Sequence, residues 1–580
     1  MRVAEAGPRD AVHDADGPDH PVARRPGRAL EVALVCGTWL AGQLVFFRSQ
    51  WLSGFDRSMG DAGAARFIVY VNENWYQALL GHASWKNPAF YYPLRSTLGL
   101  SDTFLLWQVV YAPARALGAD PFLAYQLSLV FASAVGFATF YLLVRALWRP
   151  PVALGLLGAT LFTFPNALYV NANHPQLFGV LLLPAPLLCF LGAWRLATRR
   201  RPAGIALGAL AGALGVLVAY STYYAGFFAA LAVVVVLVLS VAVAPSALRR
   251  VVAALRAGGW KAVAGAIGGA VLPGALFLDT FLPALHAAGG YQLGAAKFFA
   301  PTLPDLVNVG TGNLLWGSAL GHLLHGTAAG PERDYSVTPI LLVTTLVAVV
   351  AATVLERRAQ PGGAGWRYSS AVLATSALLL LLSPMVVGSA FLWRAVYWIP
   401  GASGIRAIDR IAVVASSLLV LALVDAGTRV WPWCTRRVPR GALVTGAVVL
   451  AALICLEQVN VADSSQLSRR TQTALLDAVP APPPSCTAFF VETARGSTTH
   501  PARVQTTAML LSVRFGVPTL NGTSGSFPPG WHLFYPTRPH YLANVRAWVH
   551  AHHIAGQVCA LDLDTDRWRL FATGGPAASR

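Results

Sequence analysis

Apolar stretches of 18 residues or more without a charge recur along this 580-residue chain, and each is long enough to cross a hydrocarbon core about 30 Å thick. Inside lipid the backbone must satisfy its own hydrogen bonds, which leaves helices or closed barrel strands. The stretches are too long for barrel strands and lack their alternation, so they predict helices. Spans are expected near 29–47, 121–147, 151–170, 176–197, 203–220, 222–244, 262–284, 337–355, 369–387, 411–428 and 442–461. The fold class is an α-helical polytopic membrane protein of about eleven transmembrane helices. The segment 103–118 is apolar but short and holds Pro113 and Arg115, so it reads as an interfacial or re-entrant helix.

Composition agrees with this reading. Charged residues make up 12% of the chain, against about 25% in soluble domains. The net charge of +18 raises the question of nucleic acid, and its placement answers it. Seventeen basic residues sit in five short loops, among them Arg145, Arg199, Arg250, Arg357 and Arg437, while the alternating connections hold almost none. That is the positive-inside pattern. It places the five loops in the cytoplasm and excludes a nucleic-acid footprint. Residues 1–28 read as a disordered cytoplasmic tail, 29–462 as the transmembrane domain with long external loops 48–120 and 285–336, and 463–580 as a small external α/β domain. In that domain CTAFFVE and QVCALDLD alternate like strands, and YLANVRAWVHAHHI has helical periodicity. Cys486 and Cys559 are the two cysteines placed outside, and a disulfide between them is expected in an oxidising compartment.

Candidate chemistry gathers at the outer ends of the helices. The first loop carries Asp56 and Asp61 in FDRSMGDAGAARF, then Arg66, then Glu73 and Trp75 in VNENWYQALLG, and Tyr92 and Asp102 in NPAFYYPLRSTLGLSD. His174, Tyr224 and Asp279 lie at the outer ends of other spans, Glu332 in the second loop, and Arg406 and Arg410 just before a late span. A carboxylate near the bilayer interface can act as general base or bind a hard divalent cation. Each residue also has a plainer reading. Asp61 and Asp102 suit helix caps, Asp56 a solvated acid beside Arg57, and Glu73 an ion pair with Arg66. His174 suits a cap, and the tyrosines an interfacial belt. Arg406 and Arg410 suit an anionic partner or an ion pair with Asp409. NGTSGSFPPGW reads as a surface loop or as a lid over the outer site.

This layout resembles the GT-C class of integral-membrane glycosyltransferases, through GDAGAARF, the NENW helix, FYYP, the terminal SD, HPQLFG, the arginine pair and NGTSGSFPP. The resemblance implies an inverting enzyme of a bacterial inner (plasma) membrane. Such an enzyme moves a sugar from a polyprenyl-phosphate donor to a glycan, lipid or protein acceptor at the outer face. It implies Asp61 as the catalytic acid of the first loop, with Mg or Mn as a possible cation. Where the pattern carries a second acid three residues on, this chain has Ala64, so Asp56 or Asp102 would have to substitute. A transporter or lipid flippase, or a catalytically inactive envelope protein, remain alternative readings.

Overall fold

The computed structural model describes residues 27–199, 201–325, 335, 337–358, 368–495 and 497–572. Among them, nine helices are long and apolar enough to cross a membrane, and two shorter apolar helices, Ser369–Leu382 and Arg440–Leu456, complete the bundle. The 1–28 tail and Glu332 lie outside the described residues, apart from the two residues that lead into the first helix.

Local sequence sets the details that a hydropathy window misses. The span read as 151–170 breaks into Val152–Thr163 and Asn166–Val170, because Pro165 has no N–H to continue the ladder. The next begins as a 3-10 turn, Pro175–Leu182, before the α-helix Pro184–Leu196. The segment 103–118 forms a nine-residue helix, Gln108–Ala116, too short to span. Pro121–Leu147 starts sharply, with the Asp120 side chain accepting from the N–H groups of Phe122 and Leu123 at 3.0 and 3.1 Å.

Packing within lipid favours small residues that let backbones approach. Gly208 and Gly212 on Arg201–Ser221 face Gly265 and Gly269 on Trp260–Ala288, and a Cβ on any of them would strike the partner's backbone carbonyl. At one end of the bundle arginines pair across helices, Arg145 with Glu31 at 3.2 Å and Arg429 with Glu356, and Arg429 also pairs with Asp425 one turn away on its own helix. The opposite end carries the C-terminal domain.

That domain is a three-stranded sheet in which Cys486–Glu492 runs parallel to Gln557–Asp562, which pairs antiparallel with Arg567–Leu570. A parallel pair needs a crossover, supplied here by helices Pro501–Phe515 and Tyr541–Ala551. Cys486 and Cys559 are joined by a disulfide across the parallel pair, with Cα atoms 5.7 Å apart. The helix Arg469–Ala478 leads into the domain. The residues before it, Leu467–Ser468, pair with Arg57–Ser58 of the first long loop, so loop and domain share a strip of sheet.

Candidate active site at the domain face

The first loop, the ends of several spans and the C-terminal domain meet at one surface. Asp61 lies on the seam. Its Oδ1 accepts from the N–H groups of Gly63 and Ala64 at 2.9 and 2.6 Å, opening helix Ala64–Leu79 as an acid at the positive end of a helix should. Among the described residues its Oδ2 has no hydrogen-bond donor. Pro175 lies 3.1 Å from where a Cβ on Gly60 would stand, so the turn after His174 packs against the loop just before Asp61. Tyr125, buried, donates to the Met59 carbonyl at 3.0 Å, two residues before Asp61. The domain closes the seam: Thr506 donates to the Ala62 carbonyl at 3.2 Å.

Asp102 is buried a short way off. Its Oδ1 accepts from the Tyr223 N–H at 2.6 Å. Burial pushes its carboxyl up to about 6, against the pull of that N–H and of the nearby Arg410 guanidinium. Arg410 stacks over the Tyr224 ring at 5.4 Å, and the Tyr224 hydroxyl accepts from the Arg406 and Ala407 N–H groups at 3.2 and 3.4 Å. Arg406 itself is exposed, lying 5.6 Å over both Tyr291 and Phe299, and among the described residues it has no carboxylate partner. The Tyr291 hydroxyl donates to the Gly525 carbonyl, so the NGTSGS segment reaches this cluster. Between Asp102 and Asp61 stands a tier of rings: Phe104 against Trp107 at 5.4 Å, and Trp107 against Tyr125 at 6.2 Å.

Other candidates are structurally engaged. Asp56 accepts from Ser468 and from the Arg470 N–H at 2.9 Å, contacts that hold it below the usual carboxylate range; it ties the loop to the domain. Arg66 is 1% exposed, clamped to Thr506, Thr507 and Gln472, and so cannot meet a phosphate at the surface. Glu73 pairs with Arg115 at 2.8 Å rather than with Arg66, because Arg66 points to the domain. Trp75 donates to the Thr103 carbonyl at 2.7 Å and stacks on Trp85 at 5.6 Å, leaving no open ring face for a sugar there. The Tyr92 carbonyl accepts from the Trp548 indole at 2.8 Å. Asp279 holds Lys86 at 2.7 Å. Tyr291 and Tyr125 were missed from sequence; each is one aromatic among many, and only its neighbours single it out.

Among the described residues no cluster of three or more His, Cys, Asp or Glu side chains could hold a metal ion. Among the described residues no second carboxylate joins Asp61 in a cation site: Asp56 is tied to Ser468 and Arg470, and Asp102 is buried against the Tyr223 N–H. No step below is drawn through a cation.

No family model matches this sequence, and no curated protein matches it significantly. Solved structures do resemble it. The mycobacterial arabinofuranosyltransferase AftD aligns over 92% of this chain and 35% of its own, with 13% identity and a TM-score of 0.51. The Archaeoglobus fulgidus oligosaccharyltransferase aligns over 92% and 69%, at 12% identity and a TM-score of 0.49. ArnT from Cupriavidus metallidurans, bound to undecaprenyl phosphate, aligns over 85% of each chain at 12% identity and 0.34. The chain thus spans about a third of AftD, the one of the three above 0.5 and the one on which the likeness rests. The architecture built by these helices and the docked domain is the GT-C fold.

Proposed function

We propose that this protein is a membrane glycosyltransferase that moves a sugar from a polyprenyl-phosphate donor to a cell-envelope acceptor at the face bearing the C-terminal domain. The observation that carries this reading is Asp61, with one oxygen fixed by two backbone N–H groups and the other without a donor among the described residues. A carboxylate so oriented is placed to take a proton. The acceptor hydroxyl loses its proton to Oδ2 as its oxygen bonds to the anomeric carbon. The bond from that carbon to the donor phosphate breaks, and the electron pair leaves with polyprenyl phosphate. Attack opposite to departure inverts the configuration.

The departing phosphate gains negative charge, and guanidinium groups suit it. Arg406, exposed and without a carboxylate among the described residues, is assigned that role, with Arg410 behind it. The arginine-rich end of the bundle faces the cytoplasm on this reading and the domain faces outward, in the inner membrane of a bacterium. A second base has one feature in its favour: Asp102 sits near Arg410, and burial pushes its carboxyl up to about 6. Wild-type protein in proteoliposomes, offered labelled polyprenyl-phosphate sugars with hexose or pentose heads, should transfer label to envelope glycans or lipids. Failure with every donor, by protein shown to be folded, would sink the transferase reading.

A further inference from the structure

The positive-inside pattern accounts for the loops at the far end of the bundle, but not for the C-terminal domain. From 493 to 561, a stretch of 69 residues, there is no Asp or Glu, while there are five Arg and six His. The domain's acids stand outside that stretch, and two of them are paired, Asp477 with Arg514 and Glu492 with Arg569.

The acid-free stretch walls a groove. One cleft, of about 310 Å³, lies between the Pro529–Gly530 turn and helix Tyr541–Ala551, with His532, Asn544, Trp548 and His552 in its lining. A second, of about 420 Å³, lies across the same prolines, between the first loop at Arg95–Thr97 and the end of helix Trp260–Ala288. Pro529 lines both, so the two clefts adjoin at this residue, and the groove is the pair of them. Volumes near 300 Å³ and above are those of small-ligand sites. Beside it, Phe527 and Tyr535 expose 44% and 42% of their surface, and Phe527 stacks on Trp531 at 5.6 Å. Arg95 is exposed and has no carboxylate partner among the described residues. The nearby acids on the other walls are engaged, Asp279 with Lys86 and Asp102 with the Tyr223 N–H. The groove runs to the active-site cluster: Ser526 donates its N–H to the Leu100 carbonyl at 3.2 Å, two residues before Asp102.

Aromatic faces, amide and imidazole groups suit sugar rings, and a lining with one arginine, Arg95, and no acid suits negative charge. We infer that the groove across Pro529 binds an anionic glycan, a chain of several sugars bearing carboxylates or phosphates, and presents it as acceptor. The acceptor role rests on the transferase reading; the binding does not. A flat anionic lipid surface would explain the charge but not two clefts meeting at a proline ridge.

The test uses full-length protein in nanodiscs of zwitterionic lipid, with a short oligogalacturonate as probe and a neutral glucan of equal length as comparison. The carboxylated chain should bind, weakening about tenfold as salt is raised from low to physiological strength, and the glucan should not. Arg95→Ala combined with His532→Ala should weaken binding at least fivefold, and Arg95→Lys should retain it. Equal affinity for the glucan, no binding of either chain, or binding unchanged in the double variant would each overturn the inference. Binding to phosphatidylglycerol vesicles that Arg95→Ala with His532→Ala weakens, with no binding of the oligogalacturonate, would reassign the surface to lipid. Protein that binds the probe yet transfers no sugar would remove only the transferase reading.

Discussion

At the scale of single residues, buried charge is where this chain departs most from a plain hydrophobic bundle. Folded Asp102 holds its proton more tightly than the usual 3.8 of an aspartate, because burial disfavours the charged form. Folding therefore gains most from this group below about 4, and the gain is lost as pH rises through about 6. Asp102→Asn has no such dependence. The thermal stability of the variant relative to wild type, followed in detergent, should rise as pH passes upward through that range; a fall would contradict the burial described here. Arg66 makes a second case. Its guanidinium is surrounded by Thr506, Thr507 and Gln472, with no carboxylate among them. Arg66→Met leaves those polar groups buried without their partner, at a cost of about 1–3 kcal/mol each for any not rescued by water. A lower apparent Tm, with protease sensitivity appearing first at the contact between helices Ala64–Leu79 and Pro501–Phe515, is the expected result. Neither role was legible in sequence, where Arg66 read as a partner for Glu73 or phosphate; only the fold reveals which side of its helix meets the domain.

At the scale of elements, the seam between the first loop and the C-terminal domain decides the shape of the site. Gly522 packs so closely that a Cβ would lie 2.5 Å from the Tyr91 ring and 2.8 Å from Phe90, and its N–H donates to Gln505 at 2.9 Å. Gly522→Val should push the 521–526 segment off the first loop, exposing it to proteolysis while the transmembrane bundle stays folded. The Cys486–Cys559 disulfide closes a segment with a sequence separation of 73, for which loop closure predicts about 2–5 kcal/mol of stabilisation. Cys486→Ser should lower the unfolding temperature of the domain, and an unchanged value would place its stability in the helices instead. Spans, strands and the two external cysteines could be read from periodicity and position, since hydropathy and alternation are local properties. The helix Pro501–Phe515 was not read, although it supplies Thr506 to the seam. Its polar residues Gln505, Thr506 and Ser512 are fully buried, and such positions blur an amphipathic pattern.

At the scale of the whole molecule, charge asymmetry and site location support one orientation. Arginine pairs gather at one end of the bundle, while Asp61, Asp102 and Arg406 gather at the other beside the domain. A single cysteine introduced at exposed Arg436 should react with a membrane-impermeant thiol reagent only after inverted vesicles are used, and one at exposed Gly530 only in right-side-out vesicles. The reverse labelling would place the site in the cytoplasm. The GT-C likeness was legible in short motifs before any coordinates, because those motifs lie where helices meet the surface. Among the three acids the resemblance pointed to Asp61, although each of them also fitted a helix cap or a solvated or paired acid on paper. In the fold both oxygens of Asp56 are tied to Ser468 and Arg470; Asp61 and Asp102 each keep an oxygen without a donor among the described residues, and of these two Asp102 is buried against Tyr223 while Asp61 is only half-buried at the seam.

The measurement that bears most directly on this account is sugar transfer by purified protein in proteoliposomes, comparing wild type with Asp61→Asn and with Asp102→Asn. Loss of at least about a hundredfold in Asp61→Asn, within the range that general-base removal produces, together with wild-type yield and Tm, is the result the account predicts. Retained transfer in Asp61→Asn with loss in Asp102→Asn would contradict it and move the base to the buried acid beside Arg410.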